Sequence, residues 1–486
     1  MFDVRSDQST RLMSRRALAP VRKRNKTLEP DASAFRLMDR RQNHTITKSA
    51  FMSTICIQPS SKSSSDQHGS GVGRVTRLAR RLMLDKLQDL RGGTIEVIDP
   101  CGATTLGQGG DLRATLQVHD AAFFRHAVLG GSLSVAESYL RGEWDSDDLT
   151  SFFRLFVRNI DTTDRLDRGV SRIAKWGNRL YHAWHANSKT GSQRNIHAHY
   201  DLGNDFFRLM LDDTLAYSSG IFLSPTSTLR EASIEKMDRL CRRLQLQPSD
   251  HLLEIGTGWG GFAIHAATNY GCRVTTTTIS QQQFDVARQR IDEAGLSDRI
   301  TLLLQDYRDL TGQFDKLVSI EMIEAVGHRY FDTYFRKCSE LLKPDGSFAL
   351  QGIVMPDRRY AQYLKSVDFI QKYVFPGGCL PSMSAMLEST ARVTDLRFVH
   401  AEDFGTHYAQ TLREWRSRFH ARLDDVRTLG YPDRFIRLWD YYLCYCEAAF
   451  DERYTGVVQV QFDKPMCRRV GESFHDSHSR LTNPTT

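Results

Sequence analysis

From residue 251 onward, short strand-like runs, most of them apolar, recur at a regular spacing, each separated from the next by a helix-length segment of mixed character. The runs fall at 251–255, 273–278, 300–304, 316–320 and 347–353, and 456–462 reads as a closing strand. Strands alternating with helices in this rhythm predict a mostly parallel, doubly wound α/β sheet joined by right-handed crossovers. Upstream the elements are shorter: a helix near 78–89, strands near 94–98 and 114–118, then helices after Asp120 and Leu133, which together predict a smaller α+β domain. Residues 161–186, rich in Arg, Trp and Tyr, read as a helical bridge. The stretch 412–450 reads as a helix-rich end whose Trp415, Trp439, Tyr441 and Tyr442 would cover a tunnel or build a homodimer face. No internal repeat is visible.

Charge and composition add an arm at each end. Residues 1–50 carry 12 Lys and Arg against 5 Asp and Glu, which is the whole of the formal net charge of +7. Such an arm suits anionic headgroups or nucleic acid, but its composition reads first as a disordered tail, and nucleic acid is not expected as a partner. Asp3 and Asp7 argue against a secretory signal, and translation starting at Met52 is a further reading. Residues 58–73 are a Ser/Gly-rich linker. The expected division is therefore 1–73 arm and linker, 74–160 small domain of a lipid-binding type, 161–190 helical linker, 191–465 catalytic domain and 466–486 tail. Nine cysteines without paired spacing fit reduced thiols in a cytoplasm. No run approaches the roughly 20 apolar residues of a membrane-spanning helix, so any lipid is expected to be met from the water side, with the protein peripheral to the membrane.

The most informative run is Leu252-Leu253-Glu254-Ile255-Gly256-Thr257-Gly258-Trp259-Gly260-Gly261. An apolar strand enters a glycine-rich turn and then a helix, so the backbone can pass close to a nucleoside beside exposed helix N–H groups. A dinucleotide fold expects GxGxxG and an acidic residue ending the second strand. Here Gly256, Gly258, Gly260 and Gly261 give GxGxGG, and Thr278, Ser280 and Gln283 stand at the second strand's end. The pattern resembles the first motif of class I S-adenosylmethionine-dependent methyltransferases. Asp306 and Tyr307, closing the third strand, are placed for the adenine amino group and for stacking on the ring.

Four further motifs lie in order along the chain: His197-Ala198-His199-Tyr200-Asp201-Leu202-Gly203-Asn204, Tyr217-Ser218-Ser219-Gly220, Glu321-Met322-Ile323-Glu324-Ala325-Val326-Gly327-His328 and Tyr373-Val374-Phe375-Pro376-Gly377-Gly378. Together with the glycine turn, the chain resembles the cyclopropane-fatty-acyl-phospholipid synthase and mycolic acid cyclopropane synthase family over about 130–463. The resemblance implies a class I, Rossmann-like methyltransferase sheet with helical lid insertions, S-adenosylmethionine as donor and an unsaturated phospholipid or fatty-acyl chain as acceptor. It also implies that Tyr217, Ser218, Gly256, Gly258, Gly260, Thr278, Gln283 and Tyr307 border the donor. Around the reacting centre it implies a bicarbonate site at Ser219, Glu324, Gln351, Ile353 and Tyr408. Ser219 stands where many members have Cys, Gln351 where they have His, and Ala325 replaces a His that often follows the Glu, so whether the product is a ring or a branch stays open.

An isolated alkene is a poor nucleophile, and methyl transfer to it leaves a carbocation. Glu324, directly or through bicarbonate oriented with Tyr408, is the candidate for stabilising that charge and directing the proton away. Plainer readings stand beside these. Glu324 can cap a helix, Tyr408 can be ordinary core, and Phe369, Tyr373 and Phe375 can be core or tunnel wall. His197 and His199 lack a third ligand, so no metal is expected. Two other functions remain in view: a small-molecule N-methyltransferase of the coclaurine type, and an inactive lipid-binding homologue.

Overall fold

The computed structural model describes residues 73–160 and 202–469, all within one compact unit, Thr47–Thr486. The basic arm, the predicted 161–190 linker, His197 and His199, and the tail beyond 469 lie outside the described residues.

The first segment builds a small sheet with three helices. Helix α1 (Arg74–Leu87) precedes β1 (Gly93–Asp99), β2 (Gly102–Gly109) and β3 (Leu112–Val118); α2 (Ala122–Leu140), β4 (Trp144–Asp145) and α3 (Leu149–Arg158) follow. The strand order is β2-β1-β3-β4, with β1 antiparallel to β2 and parallel to β3. Ile95 and Val97 of β1 and Ala114, Leu116 and Val118 of β3 point inward at period two, which is the alternation that made these strands visible. Strand β2 escaped that pattern because its sequence GATTLGQG buries only Leu106; its ladder to β1 holds it as an edge. Helix α2 is two helical segments joined at Gly131, whose φ of 62° and ψ of −160° break the helix between the two predicted pieces.

The second segment forms the large sheet. After α4 (Asn204–Met210) and α5 (Leu229–Leu244) come β5 (His251–Ile255), α6 (Gly261–Tyr270), β6 (Arg273–Thr278), α7 (Gln281–Glu293), β7 (Ile300–Leu304), β8 (Phe314–Ile320), α8 (Phe331–Glu340) and β9 (Leu342–Val354). Then follow α9 (Asp357–Tyr363), α10 (Phe369–Tyr373), α11 (Met383–Val393), β10 (Arg397–Asp403), α12 (Gly405–Ala421), α13 (Leu423–Thr428), α14 (Asp433–Asp451) and β11 (Gly456–Asp463). The order is β10-β11-β9-β8-β5-β6-β7, parallel from β7 to β9 and antiparallel at β11 and β10. This is the predicted doubly wound sheet, with its strand carboxyl ends available for a ligand at the switch between β5 and β8.

Helix α14 joins the two sheets into one body. Its Tyr441 ring lies 4.7 Å from Phe153 and 5.3 Å from Tyr139, and Arg437 stacks 3.9 Å over Tyr139 while donating to the carbonyls of Tyr139 and Trp144. Thr150 donates to Glu447 at 3.1 Å. The aromatic helix thus buries side chains of both units in one hydrophobic cluster.

Candidate active site

Strand β5 delivers the chain into the glycine turn at the switch point. Gly256 has φ of 106°, beyond the reach of ordinary residues, and a β-carbon on Gly261 would lie 2.5 Å from the Thr214 carbonyl oxygen. Only glycine lets α6 start this close to the 214 loop. The turn is pinned from outside, because the Arg290 guanidinium donates to the carbonyls of Trp259 (2.7 Å) and Thr214 (3.1 Å), and the Trp259 indole donates to Asn204 (2.8 Å). Asn204 belongs to the upstream motif, whose work here is to brace the turn.

The remaining predicted donor-side residues gather around this turn. Thr278 donates to Gln283 Oε1 at 2.9 Å, and Ser280 caps α7. Tyr217 reaches Tyr442 hydroxyl to hydroxyl at 3.0 Å, and Ser218 accepts from the buried Lys236 ammonium. Tyr307 sits at the rim with its ring 5.5 Å from Tyr334. Asp306 is engaged differently from expectation: it accepts from the Arg308 amide (2.9 Å) and guanidinium (2.8 and 2.7 Å), so a purine amino group would meet a carboxylate already tied to a neighbour. Tyr217, Ser218, Gly256, Gly258, Thr278, Gln283, Asp306 and Tyr307 line a single cavity, and Gly260 and Ser280 do not reach it.

That cavity measures about 1430 Å³. From the glycine turn it passes Glu321, Glu324, Ile353 and Tyr408, runs between Phe375 and Tyr442, and continues to Phe123, Phe156 and Met83 of the small domain. Its far half is almost wholly apolar. The aromatic run of the fourth motif is divided: Phe375 and Ile370 face the cavity, Phe369 packs on Tyr441 at 4.6 Å, and Tyr373 and Lys372 both bond Glu137 of α2 at 2.7 Å.

At the junction of the two halves lie two part-buried glutamates, Glu321 and Glu324. Glu324 Oε1 accepts from the Ile353 amide at 2.6 Å, and Oε2 is buried with no hydrogen-bond partner. Burial and the neighbouring Glu321 push its pKa up to about 8. Glu321 accepts from the Ser219 amide (2.9 Å), Gln351 Nε2 (2.8 Å) and the Tyr408 hydroxyl (2.7 Å). The five residues expected around an anion are therefore split: Ile353 serves Glu324, whereas Ser219, Gln351 and Tyr408 converge on Glu321. Ser219 contributes its amide, its hydroxyl being donated to Gly220 O. Burial pushes the Lys236 ammonium down to about 8, against the pull of Glu321, Asp212 and Glu254.

Comparison with known proteins decides what this arrangement is. The family model described as mycolic acid cyclopropane synthetase matches residues 187–460. The chain belongs to the mycolic acid cyclopropane synthetase family. A relative named tuberculostearic acid methyltransferase, from Mycobacterium tuberculosis strain H37Rv, is 40% identical over 342 residues, 69% of this chain and 78% of that one. The cyclopropane-fatty-acyl-phospholipid synthase of Escherichia coli K12 is 37% identical over 358 residues, 73% of this chain and 89% of that one. Among solved structures, the mycolic acid cyclopropane synthase CmaA1 complexed with SAH and CTAB superposes with a TM-score of 0.53 at 32% identity, covering 56% of this chain and 98% of that one.

As a member of this family the chain is an S-adenosylmethionine-dependent methyltransferase with the predicted class I fold. The cradle fits the donor: Gly256 and Gly258 leave the nucleoside end without side chains, and Tyr217, Ser218, Thr278, Gln283 and Tyr307 border the same space. Sequence reasoning left Glu321, Lys236, Glu254 and Arg290 unassigned. Glu321 carried a signal, since two carboxyls three residues apart at a strand end are costly to bury without a use. Among the described residues, no group of His, Cys, Asp and Glu could hold a metal.

Proposed function

We propose that this enzyme transfers the methyl group of S-adenosylmethionine to the double bond of an unsaturated fatty-acyl chain of a phospholipid, through a carbocation, giving a cyclopropane or branched chain. The observation that carries this reading is the single cavity that joins the glycine turn to an apolar channel, with both carboxyls where the two meet. The names of the relatives, a tuberculostearic acid methyltransferase and a cyclopropane-fatty-acyl-phospholipid synthase, support it.

Bound donor supplies an electrophilic methyl carbon; the chain's own residues do the rest. Phe375, Tyr442 and Tyr445 wall the channel and keep water from the olefin, and holding donor and acceptor in register supplies roughly 7–11 kcal/mol of the barrier. The Glu321–Glu324 pair puts negative charge where the cation develops, in a site without bulk water to screen it. Dryness also protects the cation from capture before a proton departs.

The way in is lipid-facing. On α1, Val75, Leu78 and Leu82 are 64%, 59% and 48% exposed at i, i+3 and i+7, flanked by exposed Arg74, Arg77 and Arg81, while Leu82 and Met83 line the channel's end. An apolar stripe between arginines suits insertion into an anionic lipid surface. No helix among the described residues is long and apolar enough to cross a membrane. The double variant Val75→Glu/Leu78→Glu is expected to cut turnover on anionic vesicles by about tenfold, with turnover on detergent-dispersed substrate unchanged. Equal losses on both substrates would remove the docking role.

The reading itself is tested by mass spectrometry of fatty acids from unsaturated phospholipid incubated with the purified chain and donor. A gain of one carbon is expected, and fragmentation separates ring from branch. Absence of any methylated lipid, beside methylation of an amine, would move the assignment to a small-molecule enzyme.

A further inference from the structure

Three of the five positions that the family resemblance gathers around a small anion close instead on a carboxylate of the chain. Glu321 takes one bond each from the Ser219 amide, Gln351 Nε2 and the Tyr408 hydroxyl at 2.7–2.9 Å. The donors are themselves fixed. Gln459 donates to Gln351 Oε1 at 3.0 Å, which turns the amide nitrogen toward Glu321, and the Tyr408 ring stacks 4.4 Å from Phe450. Glu321 has φ of 48°, a left-handed conformation that a non-glycine residue keeps only where its surroundings hold it. It lines the cavity beside Glu324.

Bicarbonate does not fit this set as well. Three of the donors that would hold it are bonded to Glu321, and a further anion would stand beside that carboxylate, whose negative charge opposes it.

We propose that Glu321 replaces bicarbonate with a carboxylate built into the chain, and that this carboxylate is the base that receives the proton lost as the product forms. The inference rests on the olefin-methylation reading. The alkene π pair forms the new carbon–carbon bond to the methyl as the methyl–sulfur bond breaks, its pair remaining on sulfur. The adjacent acyl carbon is then cationic. A C–H bond of the new methyl breaks, its proton goes to a Glu321 oxygen, and its electron pair closes the three-membered ring. Of the two carboxyls Glu321 is the one suited to hold charge. Burial raises the pKa of both, but Glu321 has three donors and Lys236 to offset it, against a single amide for Glu324.

The test uses the full chain in bicarbonate-free buffer, with two readouts: lipid methylation and saturable binding of carbon-13 bicarbonate followed by NMR. The wild-type chain is expected to turn over equally with and without bicarbonate and to bind none. Glu321→Gly, which suits the left-handed backbone, is expected to lose about 100-fold in turnover, to bind bicarbonate saturably and to recover activity with it. Bicarbonate binding by the wild type, dependence of its turnover on bicarbonate, or near-normal turnover of Glu321→Gly without it would each overturn the proposal. Should the glycine variant lose donor binding in calorimetry, the isosteric Glu321→Gln takes its place: a 100-fold loss supports the base role and near-normal turnover ends it. If no lipid is methylated by the wild type, the olefin reading fails, and the NMR measurement still decides whether the anion is internal.

Discussion

Glu324→Gln is expected to lower turnover by about 10²–10⁴-fold while leaving affinity for the uncharged S-adenosylhomocysteine within about threefold. In the free enzyme Glu324 is held neutral by burial and by Glu321, and one of its oxygens has no partner. A sulfonium beside the pair reverses that balance, because an adjacent cation favours the ionised form. Glu324 is thus charged when the cation forms on the acyl chain, and the amide of glutamine supplies no charge to oppose it. The residues expected to hold the nucleoside lie mainly at the glycine turn, away from Glu324, so binding of the uncharged product should survive. Single-turnover methylation of vesicle lipid at saturating donor, set against S-adenosylhomocysteine affinity from calorimetry, separates the two effects, and near-normal turnover would remove Glu324 from the reaction.

The same electrostatics give a pH signature in binding. With the Glu324 pKa at about 8 in the free enzyme, binding a cationic donor must expel its proton at neutral pH. Affinity for S-adenosylmethionine should therefore fall as pH drops below about 8, by up to tenfold per pH unit, and level off above it. S-adenosylhomocysteine, whose sulfur is uncharged, should show little of this slope. The groups facing Glu324 are Glu321, with Tyr408 and Lys236 behind it; Tyr408 stays neutral throughout, its pKa raised by burial and Glu321. Titrations of both ligands from pH 6 to 9, in buffers of different ionisation heat, measure the slope and the proton count. Parallel curves for the two ligands would mean that Glu324 does not ionise on donor binding.

Much of the fold was legible because its signals were local. Each parallel strand except the threonine-rich β6 contains a short apolar run, and the glycine turn is contiguous with the strand that feeds it. Strand β10, RFVHAED, was not legible: it lies at the sheet edge with Phe398 and Val399 half exposed, so neither burial nor alternation marks it. At the site, Tyr217, Ser218, Thr278 and Gln283 were legible through motif, and the structure brings them to one cavity. Glu321 was quoted within its motif and passed over, since a Glu-x-x-Glu spacing reads as one turn of helix. Only the left-handed backbone at 321, followed by the 3₁₀ turn Ile323–Ala325, turns both carboxyls inward, and no local pattern announces that bend. Ser219 and Gln351 look like losses of thiol and imidazole when each is considered alone. Their meaning emerges only in space, where a backbone amide and a carboxamide suit a neighbouring carboxylate.

Helix α14 carries a consequence for how this enzyme can be divided. Its Tyr441 and Tyr445 meet Phe153 on one side and floor the channel on the other. The lipid conduit is accordingly a seam between two halves and not a bore drilled through either. Trimming away the first 160 residues would leave an open trough edged with bare rings, sticky to its own kind and unable to grip a tail. On the proposed acyl acceptor, chain-length preference would be a property of the fit between these halves.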